Sequence, residues 1–356
     1  MDFHLSEEQE MIRDSLVGCY SQCNSDELLV QKYDREPALD DELWRAQLAL
    51  GLTGVMVPES LGGLGMDLLT LAVAAEVSAS YAVATPMEYQ CLAAWAIACS
   101  DSQTLIETWL QPIVLGEKIA TLALSDEGAE GGPDSLSTHD GATVSGIRRF
   151  VPFAAEADIA VLTLGDGKLG LVELRHDSVV REAVAPLDRS RPVCHLRLDN
   201  TPVVIFPEAL AQRLYDAALI LHAASAFGAA KRCLDMSVEY AKVREQFGQL
   251  IGQFQALKHQ LAHMALDTEP ARFLYWYAAH CWDIETEDAR QMAALCKAHL
   301  GEVAVDTARA AVEIHGGIGF TWELPIHIWL KRAMADSAIY GTPARQRARS
   351  AELARW

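Results

Sequence analysis

The sequence predicts a mainly α protein with a β domain in its middle, because the period of its apolar residues changes twice. Up to about residue 118 the apolar positions recur at helical spacing, in Asp41 to Ala49, Leu68 to Ser80, Met87 to Ala98 and Asp101 to Trp109. Short β-rich runs then follow, separated by Gly, Asp and Pro: Thr121 to Leu124, Ala142 to Val144, Ile159 to Leu164, Leu169 to Leu174 and Val193 to Leu198. Helical spacing returns near Glu208 and continues to the end. The chain of 356 residues thus divides into an N-terminal helical domain (1–118), a β domain (119–207) and a C-terminal helical bundle (208–356).

Each part has its own markers. Ser6 and Gln9 form a capping box at the start of a first helix, and Pro58 and Pro86 punctuate the helices that follow. In the last third, helices are expected over Ala209 to Val243, Phe254 to Ala265, Pro270 to Thr286 and Asp288 to His315. Neither an internal repeat nor a low-complexity tail is seen.

Composition narrows the partners. Lys and Arg total 29 against 49 Asp and Glu, a formal charge of −20 that opposes nucleic acid and anionic membranes. No apolar stretch has membrane-spanning length, and the N-terminus is acidic where a signal peptide would be basic, so a cytoplasmic location is expected. The eight cysteines are dispersed without a C-x-x-C pair and are expected to be reduced. His259 and His263 have the i, i+4 spacing of a metal pair but no evident third ligand, so no metal is expected.

Chemistry concentrates between Tyr240 and Met264, YAKVREQFGQLIGQFQALKHQLAHM. Arg244 stands four residues before Gly248, where the helical period breaks and a guanidinium and free backbone N–H groups can meet an anion, a phosphate above all. From Phe254, Leu257, Leu261 and Met264 resume a one-faced helix.

This segment resembles the signature of the acyl-CoA dehydrogenase family, R-x-x-F-G…FQ…K-H. Three other stretches carry the same resemblance: the opening Met1 to Met11, the run Gly51-Leu52 through Val57-Pro58-Glu59 to Gly62-Gly63-Leu64-Gly65, and Glu313 to Glu323 with its His315-Gly316-Gly317-Ile318-Gly319-Phe320 core. It covers nearly the whole chain. The resemblance implies the family's three-part fold: helical domain, β-barrel or sandwich, and C-terminal four-helix bundle.

It further implies an FAD site divided between two subunits. Arg244 would pair with the diphosphate, Phe247 would pack beside the adenine, and Gly316 and Gly317 would let backbone approach the cofactor. Ser125 and Phe150 would contact the flavin from the β domain. Here the chain departs from the family: the T-E-P-x-A-G-S-D loop reads Ser125-Asp126-Glu127-Gly128-Ala129-Glu130-Gly131-Gly132, Pro152 cannot donate an N–H, and Glu313 replaces a glutamine.

The catalytic base is the larger departure. The family removes a proton from Cα of an acyl-CoA while a hydride leaves Cβ for the flavin, so a carboxylate must face Cα. Counted without gaps from Gly316-Gly317, the glutamate of Y-E-G-T becomes Tyr340; counted back from Arg244, the family's second glutamate position becomes Ala218. Asp216 is the nearest acid, about 200° round the helix from Ala218. His222 is expected to be a satisfied core or interface histidine.

These residues look like the glutamate-lacking member of the heteromeric acyl-CoA dehydrogenases of bacterial steroid catabolism. That resemblance implies an α2β2 tetramer with a homologous subunit, a bulky sterol side-chain-like CoA thioester, and an electron-transfer flavoprotein or equivalent acceptor. Other readings stay open: a homotetrameric dehydrogenase with Asp216 or another base, a flavin-dependent monooxygenase or oxidase, and a flavin-free structural subunit.

Overall fold

The computed structural model describes residues 3–33, 35, 38–126, 132 and 137–355. The N-terminal region holds α1 (Glu7–Cys23), α2 (Asp26–Tyr33), α3 (Asp41–Ala49), α4 (Leu68–Ser80) and α5 (Met87–Ala98). The Ser6 hydroxyl accepts from Gln9 N at 3.2 Å, and Gln9 Oε1 accepts from Ser6 N at 3.0 Å, which closes the expected capping box. Asp40 and Asp67 cap α3 and α4 in the same way, accepting from Leu43 N and Thr70 N. Helices α4 and α5 are apolar on nearly every side because both are buried on nearly every side.

The continuous helix expected from Asp101 to Trp109 is broken. Asp101 adopts a left-handed backbone (φ 47°), and the helix begins only after Ser102, which caps Leu105 N. α6 (Gln103–Leu105) and α7 (Gln111–Val114) flank a π-helical turn, Ile106–Leu110. Pro112 in the following turn has no N–H to give a regular i→i−4 ladder.

The middle of the chain forms two four-stranded sheets around their own apolar core. One has the order β1 (Ala120–Ala123), β4 (Ile159–Thr163), β5 (Leu169–Glu173), β8 (Val204–Ile205), with β1 and β4 parallel. The other runs β2 (Thr138–His139), β3 (Thr143–Pro152), β7 (Val193–Pro202), β6 (Val179–Val184), antiparallel throughout. The β3–β7 register shifts between Arg148 and Val151, and Phe150, in this irregularity, takes φ 51°. The bulge turns its ring out of the ladder.

The last part contains α8 (Ala211–Val243), a hairpin of β9 (Glu245–Gln246) and β10 (Gln249–Leu250), then α9 (Gln255–Thr268), α10 (Ala271–Asp283), α11 (Ala289–His315), α12 (Ile326–Ala338) and α13 (Pro343–Leu353). Phe247 (φ 55°) and Gly248 (φ 79°) are the two-residue hairpin turn, and two positive φ values match the right-handed twist of the flanking strands. α8 packs along both α11 and α4, so the N- and C-terminal helices share one continuous core. No helix among the described residues is long and apolar enough to cross a membrane.

The α4–α8 crossing depends on Gly228: a Cβ there would lie 2.1 Å from the Glu76 carbonyl oxygen, a backbone atom that cannot swing aside. Gly228→Ala is therefore expected to lower unfolding stability by about 1–3 kcal/mol in urea titration, and an unchanged midpoint would contradict this packing.

Candidate active site and cofactor surfaces

Ala218, His222 and Ser225 lie at i, i+4 and i+7 on one buried face of α8, directed at α12, at the start of α5 and at the loop between β6 and β7. Asp336 of α12 is completely buried and is the acceptor for that face. Arg191 from the β6–β7 loop meets it in bidentate fashion, with Nη1 to Oδ1 at 2.5 Å and Nη2 to Oδ2 at 3.2 Å. His222 Nδ1 lies 2.9 Å from Oδ1, Ser225 Oγ donates to Oδ2 at 2.8 Å, and Arg191 Nη2 also donates to Ser225 Oγ at 2.7 Å. Four polar side chains from three parts of the chain are thus mutually satisfied.

Burial alone would raise the Asp336 pKa, but the Arg191 guanidinium and the bond from His222 hold it well below the usual carboxylate range. His222 is pushed down to about 4, chiefly by burial, with Asp336 opposing. It is therefore neutral at pH 7, with the proton on Nδ1 facing the carboxylate. The ring lines a small cavity with Glu88, Tyr89, Leu92, Arg191 and Ala218. The volume of that cavity is 10 Å³, room for about one water.

A second, larger cavity of 450 Å³ opens beside it between the β domain and the end of α12. Its walls include Ser125, Phe150, Pro152, Leu187, Arg191 and Tyr340. Ser125 is buried. The Phe150 ring meets His195 edge-on at 4.9 Å, and Phe150 N donates to His195 Nδ1 at 3.1 Å, so this N–H is already committed. The carbonyl of Pro152 accepts from Thr121 Oγ1. Of the acidic loop, Glu127 to Gly131 lies outside the described residues, as do Met1 and Asp2.

Tyr340 is 2 % exposed at φ 57°, in the turn between α12 and α13. Its carbonyl accepts from Tyr215 Oη (2.8 Å) and Gln346 Nε2 (2.7 Å). Lys297, buried and lowered to about 8 by desolvation, donates to the carbonyls of Ser337 and Gly341 and holds the turn from below. The Tyr340 hydroxyl is buried without a partner, and burial, with Tyr89 nearby, drives its pKa well above the usual 10. A neutral phenol stands here, not a base. Asp216 faces elsewhere, paired with Arg349 of α13 at 2.5 Å and accepting from Gln212.

The other sequence-derived residues lie on a different surface. Arg244, Phe247, Gly316 and Gly317 line neither cavity. Tyr240, one turn before Arg244, stacks on His315 at 4.4 Å, which sets the hairpin beside Gly316 and Gly317. Phe247 is 92 % exposed, Arg244 makes no ion pair among the described residues, and a Cβ at either glycine would meet open space. One chain therefore presents two separate features: an aromatic-walled cavity and an exposed arginine–phenylalanine–glycine surface. His259 and His263 join no metal-binding cluster among the described residues.

Arg191, Asp336 and Glu88 were not singled out from the sequence. Asp336 carried a signal, since it stands seven residues after Trp329 on the buried face of α12, where a charge needs a partner. Arg191 carried none, because its partners lie 34 and 145 residues away.

Comparison with known proteins decides the family. Residues 6–117 match the acyl-CoA dehydrogenase N-terminal domain, and residues 210–354 match the acyl-CoA dehydrogenase C-terminal domain. The chain belongs to the acyl-CoA dehydrogenase family. It is similar to acyl-CoA dehydrogenase IpdE2 of Mycolicibacterium smegmatis, at 29% identity over 96% of this chain and 97% of that one. Among solved structures it resembles a Tcur3481–Tcur3483 steroid acyl-CoA dehydrogenase variant (TM-score 0.90, 27% identity, 98% of each chain). It also resembles the ChsE4–ChsE5 complex from Mycobacterium tuberculosis (TM-score 0.90, 27% identity, 100% of each). Acyl-CoA dehydrogenases bind FAD. The two surfaces fit that group: the larger cavity, with the Phe150 ring in its wall, suits a flavin ring, and the exposed Arg244 surface suits a diphosphate.

The Asp336 cluster gives stability a pH-dependent contribution through His222. Because His222 is lowered from about 6.5 when unfolded to about 4 when folded, the unfolded chain takes up the proton first as pH falls. The contribution of this one group drops between pH 6.5 and 4, by about 3 kcal/mol, while Asp283, raised to about 7 by burial, contributes in the opposite sense over much of that range. His222→Gln is expected to make the melting temperature fall less, or rise more, with falling pH over that range than in wild type, and an unchanged slope would contradict the buried neutral imidazole.

Proposed function

We propose that this chain is the glutamate-lacking subunit of an FAD-dependent heteromeric acyl-CoA dehydrogenase. In this reading it forms an α2β2 assembly with a homologous subunit that carries the catalytic glutamate. The observation behind the reading is the state of the family's two base positions: Tyr340 is buried and neutral, and Ala218 has no functional group. Asp216 is committed to Arg349 on another face of α8. The exposed Arg244, Phe247, Gly316 and Gly317 keep what a chain needs to complete a neighbour's flavin site.

In such an assembly FAD, held between the cavity at Ser125 and Phe150 of one chain and the Arg244 surface of another, would supply hydride-accepting chemistry. This chain contributes binding and orientation: Arg244 neutralises diphosphate charge on the partner's cofactor, and Phe247 covers its adenine side. The substrate is a bulky CoA thioester of the sterol side-chain type, supported by likeness to a structure described as a steroid acyl-CoA dehydrogenase. Electrons leave to an electron-transfer flavoprotein or an equivalent carrier.

One feature favours a second reading, a homomeric dehydrogenase with an unusual base. Glu88, with its pKa raised by burial, and His222 Nε2 both face the small cavity beside Ala218. A cavity of 10 Å³ leaves no space for a substrate carbon between them.

The test is to purify the chain alone and co-expressed with its homologous subunit, and to follow flavin absorbance and enoyl-CoA formation. Turnover is expected with the partner and is expected to be lower by about 10²-fold or more without it, the size of a general-base contribution. Equal turnover by the chain alone overturns the reading.

A further inference from the structure

Two residues of β3 stand opposite a single residue of β7. Arg148 pairs with Leu196 and Val151 with Cys194, so Arg149 and Phe150 together face His195. Such a bulge breaks the ladder and leaves its extra residue to find other hydrogen-bond partners. Arg149 N donates to the Ser125 carbonyl at 2.9 Å, and Phe150 N donates to a side chain, His195 Nδ1, at 3.1 Å. Phe150 also holds φ 51°, a left-handed backbone that a bulky residue keeps only where its surroundings enforce it. Its ring meets the imidazole edge-on at 4.9 Å and, with Pro152 of the same strand, forms part of the wall of the 450 Å³ cavity.

The direction of the Phe150–His195 hydrogen bond fixes the state of the imidazole. A ring nitrogen that accepts from a backbone N–H offers a lone pair, so Nδ1 is bare and the proton of neutral His195 sits on Nε2. The imidazolium carries an N–H at both nitrogens and accepts nothing. A proton from solvent can therefore settle on Nδ1 only after the Phe150 N–H has left it. Three charged groups face the ring: Arg149 on β3, Glu182 opposite it in register on β6, and Arg197 further along β7, which holds Glu182 at 3.3 Å. Burial and then Arg149 lower the His195 pKa from its usual 6.5, with Glu182 opposing, so the acceptor form prevails at pH 7. Pairing of β3 with β7 continues on both sides of the bulge, and Arg149 N keeps its own acceptor, so loss of this one bond frees Phe150 alone.

We propose that His195 is a positioning residue for the cavity wall: its bare Nδ1 holds the Phe150 peptide in the bulge, and proton uptake there releases the peptide and moves the ring. The cavity then changes shape with pH at one place, where the backbone relaxes out of the left-handed region. The inference concerns the wall and not the base, so it stands or fails separately from the heteromeric reading.

Nuclear magnetic resonance of the full chain, labelled with 15N and with 13C in its phenylalanine rings, tests this between pH 8 and 5.5, with Phe150→Leu assigning the Phe150 signals. In wild type the Phe150 ring signal is expected to move with one midpoint below pH 6.5, shared with the His195 Cε1 proton. His195→Asn sets an amide oxygen near the place of Nδ1 and has nothing to titrate, so its Phe150 signal is expected to stay at the pH 8 position throughout. His195→Leu removes the acceptor. At pH 7 its Phe150 amide is expected to exchange with solvent about fivefold faster than in wild type, the size of one net hydrogen bond, while His195→Asn keeps the slow rate. A Phe150 signal that does not follow the His195 midpoint would overturn the proposal, and so would an acid shift retained in His195→Asn or wild-type amide exchange in His195→Leu. Should the leucine variant fail to fold, wild type and His195→Asn decide the matter between them.

Discussion

The buried carboxylate of Asp336 organises this molecule. It ties α12 to α8 through His222 and Ser225, and ties both to the β domain through Arg191. A lone charge in that position would cost several kcal/mol, and removing one partner of such a pair leaves the other buried and uncompensated. The cluster therefore sets the position of Arg191, which lines both cavities, and of His222, which the Tyr340 ring meets at 5.2 Å. The helical core, the β domain and the candidate site meet at one ion.

In the proposed heteromer the surface and the interior do different work. The residues assigned to a neighbour's cofactor lie on the surface at the junction of α8, the hairpin and α11, where Tyr240 and His315 stack. The positions counted for this chain's own base hold a tyrosine and an alanine beside a closed polar cluster. A surface that serves a partner and an interior that serves only stability can coexist on one fold, because the two are separated by the length of α8.

Much of the fold was legible from periodicity and caps. Asp41 to Ala49, Leu68 to Ser80 and Met87 to Ala98 are helices over the ranges expected from the sequence, because a capping aspartate or a proline marks each start. Strand β6 was missed because its residues are largely exposed and show no apolar alternation. The break at Asp101 and the π-helical turn after Leu105 were missed because nothing in an apolar period reports one extra residue per turn. At the site, counting from glycines and an arginine singled out Tyr340, in the turn after α12, and Ala218 on α8. The packing of the Tyr340 ring could not be read, since its contacts with His222 and Tyr215 span more than a hundred residues of chain. Neither could the Asp336 cluster, which exists only when α8, α12 and the β6–β7 loop are brought together.

The absence of a base is the central claim, and exchange at Cα reads it without requiring hydride transfer. The chain alone, supplied with FAD, would be incubated with butyryl-CoA in deuterium oxide and the thioester analysed by mass spectrometry. Deuterium at Cα no faster than in a protein-free control is the expected result. Incorporation catalysed by the chain alone would place a working base beside the thioester and contradict the account.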